Sequence, residues 1–130
     1  MRIQISRAWK HSMSNTHEVQ ALMAELKQFA RERNWEQFHS PKNLSMALSV
    51  EAAELLEHFQ WQSELASNIL EGDKKQLVGY EIADIFIYLL RICERLDIDL
   101  MSVTKEKIAI NQLRYPIEKV KGSSKKYTEY

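Results

Sequence analysis

The stretch LVGYEIADIFIYLLRIC, residues 77–93, decides the fold. Leu77, Val78, Ile82, Ala83, Ile85, Phe86, Ile87, Leu89, Leu90, Ile92 and Cys93 make it apolar on nearly every side of a 3.6-residue repeat. Such a helix is buried on most sides. A lone small bundle rarely supplies that much cover. The pattern therefore predicts a dimer, with one face against its own chain and another against a partner chain.

Working outward, Gly72 marks a break, and Asp73 with Gln76 is expected to cap this helix, which runs to about Leu96. On the N-terminal side, Ser40-Pro41 opens a helix reaching Phe59 or Trp61, with proline at its first position. Ser63 to Glu71 reads as a short helical piece. Asn15 followed by Glu18 resembles a capping box, opening an earlier helix to about Asn34. Its Val19, Leu22, Met23, Leu26, Phe29 and Ala30 share one face. Asp99 is the expected cap of a last helix, Leu100 to Arg114, which Pro116 stops. The chain reads as all-α with four principal helices. Residues 1–14 are expected to be a flexible leader, 15–121 the helical domain and 122–130 a tail.

Bulk properties agree. Only 3 Gly and 2 Pro among 130 residues argue against an all-β fold, and 45% hydrophobic with 28% charged residues is a globular balance. A formal net charge of +0 gives no field to draw in a nucleic acid polymer or a membrane. The single cysteine, Cys93, sits in an apolar run, as a core residue in a reducing compartment would. No signal peptide or spanning segment is visible, so a cytoplasmic location is expected. Charge is unevenly distributed. No Lys or Arg occurs from Asn43 to Asp73, whereas Lys105, Lys107, Arg114, Lys119, Lys121, Lys125 and Lys126 crowd the end. An acidic middle and a basic end suit a polyanion that carries metal ions.

Two carboxylate pairs stand out. Glu51 and Glu54 are three residues apart on the second helix, and Glu81 and Asp84 repeat that spacing on the third. Each pair shares a helical face, where like charges repel by roughly 0.2–0.5 kcal/mol even when solvated. Partial burial raises this to several kcal/mol per unpaired ion. No Lys or Arg lies near either pair. A hard divalent cation would neutralise the four, and all-oxygen ligands favour Mg²⁺ or Mn²⁺ over zinc. Solvated faces, or protonated and hydrogen-bonded carboxyls, are the competing readings. A di-iron bundle needs a Glu-x-x-His step on two helices. His58 follows Glu54 by four residues, and Asp84 stands where the third helix would need histidine. His58 reads as a helix-end residue.

Tyr88 and Arg91 extend the polar stripe of Glu81 and Asp84. Trp35, Trp61 and Tyr88 are candidates for stacking on a nucleobase, against the simpler reading of core packing. His39 lies in a connection, where polar residues often carry function. Lys107, Asn111 and Arg114 share a face of the last helix and suit phosphate, against the reading of a solvated basic face. No glycine-rich phosphate loop and no nucleophilic triad is visible.

These blocks resemble one family. HSPKNL (39–44), EAAELLEHFQW (51–61), EIADIFIYL (81–89), KIAINQLRYP (107–116) and KKYT (125–128) are similar to the all-α MazG-like nucleotide pyrophosphohydrolases, and more narrowly to the dCTP pyrophosphatase branch. The likeness covers about residues 16–128, and E-x-x-E followed by E-x-x-D is the family's hallmark. It implies a four-helix MazG-like bundle, assembled as a dimer or a dimer of dimers. It implies Mg²⁺-dependent hydrolysis of a (deoxy)nucleoside triphosphate, dCTP or a related one, to monophosphate and pyrophosphate. Glu51, Glu54, Glu81 and Asp84 would hold Mg²⁺ (or Mn²⁺), with Glu51 or Glu54 as general base. Trp35, His39, Trp61 and Tyr88 would line the nucleoside pocket, and Lys107, Asn111 and Arg114 would approach sugar and phosphates. The Ser63–Gly72 link follows no shared motif. Two other readings stay open: a related enzyme for modified nucleotides, and a non-catalytic helical protein binding nucleotide or metal for regulation.

Overall fold

Helix ends are set by local chemistry, and they place the site. The computed structural model describes the backbone of residues 7–129 and the side chains from Thr16 onward. Six α-helices follow in order: α1 (Arg7–Glu32), α2 (Pro41–Glu57), α3 (Glu64–Ser67), α4 (Lys74–Leu96), α5 (Leu100–Arg114) and α6 (Ile117–Val120). Short 3-10 turns cover Glu36–Phe38 and Tyr127–Glu129, and no strand occurs among the described residues.

The described part of α1 already includes Arg7, so the helix does not open at the expected Asn15. Asn15 can cap only if the preceding chain leaves the helix, and RAWKHSMS (7–14) has no glycine or proline to make it do so. Residues 1–6 of the expected leader lie outside the described residues. The α1 helix ends on Asn34 in the left-handed conformation, φ 54°. The amide of Asn34 donates to the Arg31 carbonyl and that of Trp35 to the Ala30 carbonyl, both at 2.9 Å. This pair of bonds is a Schellman motif, and it folds Trp35 back over the last turn.

The α2 helix starts as expected. The Ser40 hydroxyl accepts from the Asn43 amide at 3.1 Å, with Pro41 next. It stops at Glu57 rather than at Phe59 or Trp61. The amides of Phe59 and Gln60 both turn back to the Leu56 carbonyl at 2.9 Å. The α4 helix has the expected bounds but not the expected cap. Gly72 sits at φ 55°, and the Asp73 side chain makes no cap bond; its carbonyl alone accepts from Gln76 and Leu77. At α5 the Asp99 carboxylate does cap, accepting from the Ser102 amide at 3.0 Å.

The chain forms two compact units, the first ending at Asp97 and the second beginning at Ile98. That boundary falls inside the span expected as one domain. In the first unit α4 packs on α2 and on α1. Ala30, Leu44, Val78, Leu90 and Cys93 are buried there, Cys93 as a free thiol that burial pushes up in pKa. Other apolar side chains of α4 remain open in the single chain, Ile82 at 53% and Phe86 at 38% exposure. In the second unit the expected tail is folded. Tyr127 stands edge-on to Tyr115 at 6.1 Å, and the Arg114 guanidinium lies 5.0 Å from the Tyr127 ring centre. No described helix is long and apolar enough to cross a membrane.

Candidate functional site

Glu81, Asp84, Tyr88 and Arg91 occupy one stripe of α4, at steps of three and four. Glu51 of α2 faces that stripe. One carboxylate oxygen from each of Glu51, Glu81 and Asp84 lies within 4.8 Å of the others, and all three residues are partly buried. Glu54 is exposed and is not one of this trio, although it lies near enough to Glu51 to act on its charge. Among the described residues no Lys or Arg pairs with the three. The His58 imidazole, at the cap that ends α2, lies with Nε2 3.8 Å from a Glu81 oxygen.

The electrostatics follow from this crowding. Loss of solvent pushes the Glu51 carboxyl above its ordinary range, and Glu54, Asp84 and Glu81 push it further. Tyr88 rises for the same reasons, burial first and then the charges of Glu51 and Asp84. Three oxygens at this spacing, with no nitrogen or sulfur donor among them, fit a hard divalent cation.

Beside the trio opens a cleft of about 280 Å³, lined by Leu26, Phe29, Ala30, Trp35, His39, Asp84, Ile87, Tyr88 and Arg91. Asp84 belongs to both the trio and the cleft. Trp35 arrives through the Schellman turn and packs edge-on to Phe29 at 5.9 Å, with His39 tilted 6.3 Å away. His39 sits just before the Ser40 cap. Burial, then Arg91 and Arg95, lower its pKa against an opposing pull from Glu36, which favours the neutral imidazole.

Of the expected pocket residues, Trp35, His39 and Tyr88 meet here. Trp61 does not: it is 90% exposed in the turn after α2. Its neighbour Gln62 lines a separate cleft with Ala66, Ile69, Glu71 and Lys74. Lys107, Asn111 and Arg114 lie along one exposed face of α5 in the second unit. Arg91 was legible only as an extension of the stripe. Its signal was a lone base inside an apolar run. It is 3% exposed and lines the cleft. Nη1 donates to Glu94 at 2.9 Å, and Lys27 holds the other Glu94 oxygen at 2.8 Å. Burial alone would raise the Glu94 carboxyl; the hydrogen bond from Lys27 and the charges of Arg91, Lys27 and Arg95 outweigh it and hold the group low.

The sequence model of the MazG-like family matches residues 46–130. This chain belongs to the MazG-like family. The MazG-like chain is 40% identical over 104 residues to dCTP pyrophosphatase 1 of Homo sapiens, and 39% identical to that of Mus musculus. Those matches cover 78% of this chain and 61% of each relative, so the chain spans about three fifths of the length of the curated relatives it matches. Its fold is shared with a pyrophosphatase of Archaeoglobus fulgidus known from a crystal structure. The TM-score is 0.73 at 39% identity, over 77% of this chain and 94% of that one.

Proposed function

We propose that this MazG-like chain hydrolyses a (deoxy)nucleoside triphosphate, dCTP or a related one, to the nucleoside monophosphate and pyrophosphate, using Mg²⁺ or Mn²⁺. The observation that carries this reading is Asp84, shared between a carboxylate trio and an aromatic cleft. A nucleotide has the same two ends, one polyanionic and one flat and apolar. The relatives' names support this reading: a dCTP pyrophosphatase and a pyrophosphatase.

Glu51, Glu81 and Asp84 would hold the cation. Bound there, it would activate water and offset charge on the leaving pyrophosphate. Water attacks the α-phosphorus in line; the new P–O bond forms as the bond to the bridging oxygen of the β-phosphate breaks. The water proton passes to a carboxylate, for which Glu54, solvent-exposed and one helical turn from Glu51, is well placed. Trp35 and Tyr88 flank the nucleoside, and Leu26 and Ile87 exclude water around it. The exposed face of Lys107, Asn111 and Arg114 offers donors suited to phosphate oxygens. The product pair tests the chemistry. Monophosphate and pyrophosphate should appear in equal amounts; diphosphate and inorganic phosphate would place the attack elsewhere and reject the assignment.

The working form in this proposal is a homodimer or homotetramer in the cytoplasm. The buried free thiol of Cys93 suits a reducing compartment. The support for assembly is an open apolar groove between α1 and α4, lined chiefly by Leu22, Leu26, Phe29, Phe86, Ile87 and Leu90. Monomeric proteins rarely leave such a surface bare. Sedimentation equilibrium should give a multiple of the 15.3 kDa chain mass. Phe86→Glu, which sets a charge in the groove, should shift the protein to monomer. A wild-type chain that sediments as a monomer at micromolar concentration rejects the assembly.

A further inference from the structure

We propose that Arg91 selects the base, and that the cleft takes a nucleobase presenting two adjacent hydrogen-bond acceptors on one edge. The inference rests on the reading of the cleft as a nucleoside pocket and deepens it. Arg91 is almost wholly buried, yet its Nε–H has no partner among the described residues. Buried guanidinium donors are ordinarily satisfied. Nη1 is held by Glu94, whose second oxygen is held by Lys27. That pairing fixes the far side of the guanidinium. Nε and Nη2 remain together on the other edge. His39 stands beside Nη2, with Nδ1 at 3.5 Å, the outer limit of a hydrogen bond.

An arginine edge offers parallel donors and no acceptor. It matches two acceptors side by side, the N3 and O2 of cytosine or the N7 and O6 of guanine. Adenine sets its donor amine beside N1 and N7 and offers N3 as a lone acceptor, and thymine sets its N3–H between two carbonyls. Both leave one arginine donor facing a donor or nothing. His39 adds to the selection. In the tautomer in which Nδ1 accepts from Nη2, the imidazole proton sits on Nε2 as a further donor. The surroundings favour a base over a phosphate group: Leu26, Phe29, Ala30 and Ile87 are apolar, and Trp35 and Tyr88 supply rings.

The test is binding of dCMP, dGMP, dAMP and dTMP to the full-length chain by titration calorimetry. Monophosphates are used so that the outcome does not depend on turnover. Wild type should bind dCMP, dGMP or both at least about tenfold more tightly than dAMP and dTMP, the discrimination expected of a bidentate contact. Arg91→Met should bring all four within about threefold of one another. Arg91→Lys keeps the charge beside Glu94 but lacks the Nε–H edge, and should lose the discrimination too. If Met disrupts folding, as seen by circular dichroism, Lys carries the test. Equal binding of all four by wild type overturns the proposal, and so does wild-type discrimination in a folded Lys variant, which would make Arg91 a structural charge only. Pyrophosphate release from the triphosphates is scored separately. Its absence rejects the proposed reaction and leaves the binding result to judge Arg91.

Discussion

Asp84→Asn should lower kcat for pyrophosphate release by on the order of 10²–10³-fold, the loss typical when one preorganised electrostatic group leaves a reaction centre. Asp84 is the single residue common to the carboxylate trio and the cleft. On the proposed reading, its neutralisation would remove one of three oxygen ligands and misplace the reacting end of the substrate relative to the nucleoside end. The amide is close in volume, so the packing of α4 on α2 should survive. Steady-state kinetics across a range of Mg²⁺ concentrations is the appropriate measurement. A shift of the metal requirement to higher concentration, together with the fall in kcat, is expected. Unchanged kcat in a folded Asp84→Asn chain would remove Asp84 from the site.

Glu51→Gln should have opposite effects on stability and on metal response. Without metal, Glu51 faces the charges of Glu54, Asp84 and Glu81 from a partly desolvated position. Each like-charge contact costs a few tenths of a kcal/mol on an open helix and more when desolvated. Relief of these contacts should raise Tm in EDTA at pH 7 by about 2–5 °C. The sign with pH follows from the raised carboxyl. A group whose pKa is higher folded than unfolded stabilises most below its unfolded value and loses that contribution as pH rises through the folded one. The advantage of glutamine in EDTA should therefore shrink as the pH falls toward 4.5, the ordinary value. With saturating Mg²⁺ the order reverses. Wild type gains stability by ligand linkage, about 2.7 kcal/mol at a hundredfold excess over Kd, and the glutamine chain gains little. A lower Tm for Glu51→Gln in EDTA would mean that the trio is not under repulsive strain.

The helices were legible because their signals are local. Ser40-Pro41, Asp99 and Pro116 set boundaries through capping chemistry that does not depend on the rest of the chain. The start of α1 was not, since a capping pair such as Asn15 and Glu18 also occurs inside uninterrupted helices. The spacing of Glu51 and Glu54 puts both carboxylates on one helical face, but spacing alone does not say which oxygens meet those of α4; the close trio is Glu51, Glu81 and Asp84. Trp61 looked well placed because α2 was extended through it; the helix stops at Glu57 and the indole is solvated. Arg91 was seen as a stripe residue, yet its weight depends on burial and on an unmatched Nε–H, which only packing reveals. The C-terminal ring contact joins Tyr115, at the end of α5, to Tyr127, beyond α6, a contact no periodicity encodes.

The most direct test of the central claim is pyrophosphate release from each common deoxynucleoside triphosphate, with Mg²⁺ and with EDTA. The trio and cleft predict release from one or a few of them, dCTP foremost, that stops when the metal is chelated. Release that persists in EDTA would contradict a metal-holding trio. No release from any triphosphate by a folded chain would contradict the enzymatic reading and favour a protein that binds nucleotide without cleaving it.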